Sequence, residues 1–238
     1  MKKLIIISIL ILPILVFGME YHDSSVNLTI NVDNYMVFTR DNLKDNNDLK
    51  ELEITEEQMM DIMNKNSIYF DIIPDDLSHE ILIIVPEEKG VFNNLSNAPD
   101  SFLDEVGEKL AKAVGLDKSV VYKNKYTFLI REYRDNQKGY NIINYYTVVN
   151  GRGYNFQLQK QDEITDTERN VLKKMIDSVD IKILDEYKDE SKETMKAITS
   201  DGKKSFDWQK VIRKTIIGAI VGGLTGLLMG FINKKIKH

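Results

Sequence analysis

Alternating apolar and polar residues mark the strands in the first half of the chain. Val26, Leu28 and Ile30 are separated by polar residues, which predicts a strand with one buried face. Runs of β-branched and aromatic residues predict further strands over 35–39, 67–73 and 80–85. Residues 81–85 are apolar throughout, a pattern typical of a strand that is buried on both faces.

A polar, Asp- and Asn-rich segment over 40–48 predicts a loop after the second strand. Asp41, Asp45 and Asp48 suggest calcium as an alternative, but their spacing misses the alternating ligands of an EF-hand loop. The segment also has no glycine at the sharp turn that such a loop requires. A solvated loop is therefore the favoured interpretation.

Three stretches carry apolar residues at helical spacing, each with its own start signal. Thr55 to Gln58 is a capping box that opens a helix whose apolar side is rich in methionine. These methionines are interpreted as adaptable core packing and not as a ligand surface. A second helix starts after Pro99 and ends at Gly115, and a third opens at Thr165 and runs to Val179.

The second half of the chain predicts three consecutive strands, over 126–133, 140–149 and 154–159. Residues 150–153 form a Gly-rich turn typical of a tight hairpin, with Arg152 interpreted as a solvated side chain at its tip. A short strand over 181–184 follows the last helix. The order of elements predicts an α+β fold, with helices packed on an antiparallel sheet.

The first 18 residues have the pattern of a secretory signal peptide. Lys2 and Lys3 precede an apolar run from residue 4 to 17, and small residues at its end predict cleavage after Gly18. An uncleaved N-terminal anchor is the alternative. The signal predicts that the domain over 19–184 lies outside the cytoplasm.

Near the C-terminus, residues 215–232 form an uncharged stretch of 18 residues, which predicts a single transmembrane helix. A charged stalk over 185–214 precedes it, and a basic tail over 233–238 follows it on the cytoplasmic side. Five residues are predicted to lie at the membrane interfaces: Trp208, Arg213, Lys214, Lys234 and Lys235.

Glycine recurs every four residues along one face of the predicted transmembrane helix, at Gly218, Gly222, Gly226 and Gly230. Small residues at this spacing let two helices approach closely in lipid, so the pattern predicts self-association. Because glycine is common in such helices, a generic anchor is the alternative interpretation.

Charge is distributed unevenly. Residues 201–238 carry a net charge of +6, whereas residues 19–200 carry −13. An acidic body argues against nucleic acid as its partner and fits a domain held near an anionic membrane. The chain has no cysteine, which excludes a disulfide framework, a thiolate nucleophile and a Cys-ligated metal site.

Motifs of catalytic or metal-binding sites are missing from the sequence. His22, His79 and His238 have no metal-ligand or nucleophile–base spacing, and no nucleophile elbow, Walker loop or dinucleotide-binding fingerprint occurs. Carboxylate pairs such as Asp75-Asp76 and Glu87-Glu88 do not indicate a catalytic site, because a chain with 37 acidic residues contains such pairs by chance. Several tyrosines lie along the predicted strands, and strand propensity explains them without a ligand groove. We therefore expect no catalytic, cofactor-binding or metal-ligating residues.

The second half of the chain contains a Tyr145-Tyr146 strand, the turn at 150–153, a strand from Tyr154 and a helix ending in Met175 to Val179. Together these elements, over residues 120–183, resemble the PsbP-like α/β/α sandwich. The resemblance implies a binding or assembly-assisting module, commonly at membranes, and transfers no catalytic residue. The first half of the chain matches only in the order of its elements.

The favoured hypothesis is a non-enzymatic, membrane-anchored binding or assembly-assisting protein that recognises an unidentified envelope protein or ligand outside the cytoplasm. In one alternative, the glycine-ridged helix is the functional part and builds a homo-oligomer or joins a membrane complex. In the other, the domain is a surface hydrolase that uses carboxylates or a tyrosine.

Overall fold

The computed structural model describes residues 18–87, 93–116 and 119–187. Ten strands lie in this part of the chain: β1 (Met19–Asp23), β2 (Leu28–Val32), β3 (Tyr35–Thr39), β4 (Ile68–Pro74), β5 (Glu80–Ile84), β6 (Val120–Lys123), β7 (Thr127–Asp135), β8 (Tyr140–Val149), β9 (Arg152–Lys160) and β10 (Asp180–Ile181). The same residues form four α-helices: α1 (Asn47–Glu51), α2 (Glu56–Lys65), α3 (Asp100–Lys112) and α4 (Asp166–Ser178).

Seven of the strands form one antiparallel sheet in the order β3-β4-β5-β9-β8-β7-β6. Strands β1, β2 and β10 form a second, three-stranded antiparallel sheet. The predicted α+β class with an antiparallel sheet and packed helices is therefore confirmed. The prediction of one sheet was incomplete, because β2 pairs with β1 and β10 instead of extending the main sheet.

One face of the seven-stranded sheet packs against α4 and the small sheet. Phe128, Tyr145, Phe156 and Leu158 contribute aliphatic and aromatic side chains from the sheet. Strand β2 and the apolar stripe of α4 complete this main core from the other side, with residues such as Leu28, Ile30, Leu172 and Ile176. The rings of Phe128 and Phe156 meet edge to face with 6.0 Å between their centres.

The opposite face of the seven-stranded sheet carries two smaller apolar clusters. In one, Met59 and Met63 of α2 pack with residues of β3, β4 and β5, as the methionine pattern predicted. In the other, Phe102, Val106 and Leu110 of α3 pack with Leu129 and Val148. The middle of this face, between the two clusters, is polar.

Helix starts and the central hairpin agree closely with the sequence. Both capping boxes form, with Thr55 accepting from the Gln58 amide and Thr165 from the Glu168 amide. Asn150 and Gly151 have φ of 53° and 71°, the left-handed values that a two-residue hairpin needs. The predicted four-residue turn is thus shorter, since β9 already begins at Arg152. Arg152, predicted as a solvated side chain, is half-buried, and its Nη1 donates to the Ser25 carbonyl oxygen at 2.9 Å.

Three short elements were absent from the sequence-based predictions. Strands β1 and β6 have weak apolar alternation, and their pairing with β2 and β7 defines them. Helix α1 begins inside the predicted loop, where the Asn46 side chain caps its first turn. In each case tertiary pairing or a single cap decides the structure, not a periodic pattern.

The targeting and membrane segments predicted from the sequence lie outside the described residues. This applies to residues 1–17, to the stalk from 188, to the predicted transmembrane helix with its four glycines, to the five interface residues and to the basic tail. Within the described ranges, the structure contains no helix with the length and apolar character needed to cross a membrane.

Candidate functional site

Seven polar side chains lie together in the middle of the sheet face between α2 and α3. We call this set the polar row. Each of its members is at most 2% exposed. They come from five strands: Asp71 on β4, Glu80 on β5, Asn155, Gln157 and Gln159 on β9, Asn144 on β8, and Arg131 on β7.

Strand register places these residues on one face. Directly paired residues of an antiparallel sheet point to the same side. Arg131 pairs with Asn144, and Asn144 pairs with Gln157. Glu80 pairs with Gln159, which lies two residues further along the same strand as Gln157. Along β9 the alternation is complete, because the residues between these polar positions enter the main core on the opposite face.

Arg131 is the cation of the polar row and is 1% exposed. Its Nη2 donates to Asn144 Oδ1 at 2.7 Å, whereas Nε and Nη1 have no hydrogen-bond partner. Burial lowers the pKa of this guanidinium, partly opposed by the nearby hydroxyls of Tyr133 and Tyr146. Even so, an arginine remains charged at any physiological pH.

Two asparagines continue the polar row from Arg131. The Asn144 Nδ2 donates to Asn155 Oδ1 in a short contact, so both ends of the Asn144 amide are used. The Asn155 Nδ2 is left without a partner. This end of the polar row therefore presents unused N–H donors.

The other end of the polar row is a carboxyl pair formed by Asp71 and Glu80. Both are buried and lie diagonally on adjacent strands, and no hydrogen-bond partner meets either Asp71 oxygen or Glu80 Oε1. Desolvation raises the pKa of Asp71 to about 7, and desolvation together with the Asp71 charge raises the pKa of Glu80 well above its usual range. The Gln159 side chain donates to Glu80 and accepts from Gln157 at 3.0 Å.

The chemistry available in the polar row is that of hydrogen bonding and charge. No group of three His, Cys, Asp or Glu side chains suited to a metal ion occurs in the described ranges. In the sequence, the residues of the polar row look like the polar positions of ordinary alternating strands. Their burial follows only from the packing of the folded chain.

A second polar cluster surrounds His79, for which the sequence predicted no metal-ligand or nucleophile–base role. The structure brings three side chains to its ring: Ser78 Oγ lies 2.9 Å and Glu168 Oε1 3.6 Å from Nδ1, and the Tyr35 hydroxyl lies 3.4 Å from Nε2. Lys160 also pairs with Glu168 at 2.7 Å. Serine and carboxylate share one ring nitrogen, so this is not the relay of a nucleophilic triad. The cluster ties the β4–β5 turn to the start of α4.

Replacing His79 by Gln should weaken the dependence of stability on acidic pH. Burial lowers the pKa of His79, and the positive charge of Lys160 lowers it further. The negative charges of Glu168 and Asp76 oppose this shift. A lowered folded-state pKa gives stability that is present above the unfolded value of about 6.5 and is lost as the pH falls. Urea unfolding followed by circular dichroism between about pH 5 and pH 8 measures this loss. The exposed His22, changed to Gln, is the control, and an equal effect of both variants would contradict the prediction.

The carboxylates and tyrosines considered from the sequence are dispersed by the fold. Asp75, Asp76 and Glu87 are exposed. Tyr145 and Tyr154 enter the main core, whereas Tyr133 and Tyr146 lie on the face of the polar row. A continuous tyrosine groove therefore does not form from these residues.

No protein-family model matches the sequence, and no curated protein matches it. Several solved structures are similar to this chain, two of them at the following low sequence identities. One, the crystal structure of a protein from Bacteroides thetaiotaomicron, has 9% identity and a TM-score of 0.40, and the match covers 69% of this chain and 48% of that one. The chain thus spans about half the length of that protein.

A second is the solution structure of cyanobacterial PsbP (CyanoP) from Synechocystis, with 10% identity, a TM-score of 0.33 and coverage of 69% of this chain and 92% of that one. At these TM-scores neither structure assigns a fold family to this chain. Neither likeness brings a function to this chain.

Proposed function

We propose that this chain is a non-enzymatic binding protein, exported and anchored in the membrane by its C-terminal segment, with the domain over 19–184 outside the cytoplasm. The polar row is the observation that supports a binding role. Its guanidinium, amides and carboxyls are groups that hold a ligand through hydrogen bonds and charge.

The polar row is costly for the fold. A buried charge without a partner costs several kcal/mol, and each unsatisfied buried donor costs about 1–3 kcal/mol. Arg131 and Asn155 contribute both kinds of penalty. Apolar residues at these positions would merge the α2 and α3 clusters into one core. Sequences keep such locally unfavourable groups mainly at functional sites.

The location is supported by the sequence. The signal-like first 18 residues favour export, and the uncharged stretch over 215–232 favours a single C-terminal anchor. The strongly acidic body fits a domain that is attached to an anionic membrane without lying flat on it.

Protease accessibility on intact protoplasts tests this location, with one tag in the β4–β5 turn and another at the C-terminus. We expect the domain tag to be digested and the C-terminal tag to remain in a small protected fragment. Lysed protoplasts are the control in which both tags become accessible. Protection of both tags until lysis would show that the chain is not exported.

A further inference from the structure

Arg131 lies at one end of the polar row, and no carboxylate acts on it among the residues that the structure describes. The titratable side chains that affect it are Tyr133 and Tyr146, whose hydroxyls are uncharged at neutral pH. Glu80 is on β5, three strands away from β7 in the sheet. At about 4.8 Å per strand, this separation is roughly 14 Å. The carboxyl pair therefore does not neutralise the guanidinium.

The unused atoms of Arg131 and Asn155 are donors, and the unused acceptor on β9, Gln157 Oε1, is a neutral amide oxygen that cannot balance the charge of the guanidinium. Nε and Nη1 of Arg131 together carry three N–H bonds without an acceptor, and Asn155 Nδ2 carries two more. Asn144 Oδ1 accepts from Nη2 and from neither of these nitrogens. A buried cluster that has positive charge and surplus donors lacks one kind of group, an oxyanion.

The positions of the donors favour phosphate over carboxylate. Nε lies on one edge of the guanidinium plane, and Nη1 lies at the end away from that edge. A carboxylate has two oxygens in one plane and serves one such edge. A phosphate group offers more acceptor oxygens, so two of them can meet one edge of the guanidinium while another accepts from Asn155 Nδ2.

We propose that Arg131, supported by Asn144 and with the Nδ2 of Asn155 as a further donor, binds a phosphate group of the ligand. This inference deepens the binding function proposed above and rests on it. Arg131 supplies charge and directed donors, and Asn144 fixes the orientation of the guanidinium. The phosphate belongs either to a soluble phosphorylated compound or to the headgroup of a membrane lipid.

Thermal unfolding of the full-length chain in non-ionic detergent tests the site, with inorganic phosphate titrated at constant ionic strength against chloride. A ligand that binds only the folded state raises Tm with the logarithm of its concentration once it exceeds Kd. We expect this rise for the wild type. The exposed Arg134 is on the same strand, and Arg134→Met is expected to keep the response.

Two substitutions change the site with little change in side-chain size. Arg131→Lys keeps the charge but removes the fork of donors, and we expect the affinity for phosphate to fall at least about 10-fold. Asn144→Asp places a carboxylate 2.7 Å from Nη2, so it should raise Tm without phosphate and abolish the phosphate response. An equal response in wild type and both variants would overturn the proposal, as would a wild type that responds to neither probe.

The second probe distinguishes the two sources of phosphate. The full-length chain is reconstituted in vesicles of a neutral glycolipid, with or without phosphatidylglycerol. A rise in Tm with phosphatidylglycerol that Arg131→Lys removes, without a response to inorganic phosphate, identifies a lipid headgroup. A response to inorganic phosphate that Arg131→Lys removes identifies a soluble compound.

The outcomes for the site and for the location are independent. A phosphate response that depends on Arg131 stands even if the protoplast experiment shows a chain that is not exported. An exported chain without that response keeps its location but loses this binding site.

Discussion

Replacing Asp71 by Asn is expected to raise the free energy of unfolding at neutral pH by roughly 1–4 kcal/mol. Desolvation raises the pKa of this buried carboxyl to about 7, from an ordinary value of 3.8. Each pKa unit corresponds to about 1.4 kcal/mol of difference between the two protonation states. An asparagine has nearly the same shape and carries no charge that must be buried.

The sign of the pH dependence follows from the raised pKa. Folded Asp71 keeps a proton that the unfolded chain releases near pH 4, so the contribution of this group to stability is greatest below that value. It then falls as the pH rises toward 7, where folded Asp71 ionises, and the raised pKa of Glu80 continues the fall at higher pH. Asp71→Asn should remove most of the loss between about pH 4 and pH 7.

Urea unfolding at a series of pH values, followed by circular dichroism, measures both effects. The control is Asp75→Asn, because Asp75 is exposed in the turn that follows β4. It should leave the stability within about 0.5 kcal/mol of the wild type, as surface substitutions usually do. A destabilised Asp71→Asn protein, or one with an unchanged pH profile, would show that the carboxyl pair is not the source of the dependence.

Replacing Phe156 by Ala is expected to lower the free energy of unfolding by about 3–5 kcal/mol, the usual cost of removing a buried aromatic side chain. Phe156 is fully buried in the main core, where it contacts Phe128. The loss combines the transfer of the ring to water with the cavity that remains in a close-packed layer.

Phe156→Leu is the matched variant, and it should cost clearly less because most of the volume is retained. Both variants are measured by urea unfolding at neutral pH. Phe156 and Arg131 lie on opposite faces of the same sheet. The response to phosphate should therefore persist in Phe156→Leu. A loss below about 1 kcal/mol for Phe156→Ala would show that this layer is not tightly packed.

Elements with strong local signals were predictable from the sequence alone. Strand β3 matches its predicted range, and both capping boxes start helices where Thr55 and Thr165 indicated. The tight turn at Asn150 formed because its two residues tolerate positive φ. These features depend on neighbouring residues, so the local sequence contains the information that they require.

The second sheet and the candidate site depended on contacts between distant parts of the chain. Strand β10 joins β2 across about 150 residues of sequence, and no local pattern specifies that pairing. Likewise, Arg131 and Asn155 occupy positions that a strand pattern assigns to solvent. Their burial follows from the packing around the sheet, and their juxtaposition follows from the register of three strands.

The sequence by itself determined the α+β class, the main helices and strands and the prediction of an exported, anchored chain, because periodicity, caps and apolar length are local properties. The tertiary structure alone decided that Asp71, Glu80 and Arg131 share one buried face. Charge and pKa depend on burial and on partners, and both come from residues that are far apart in the sequence.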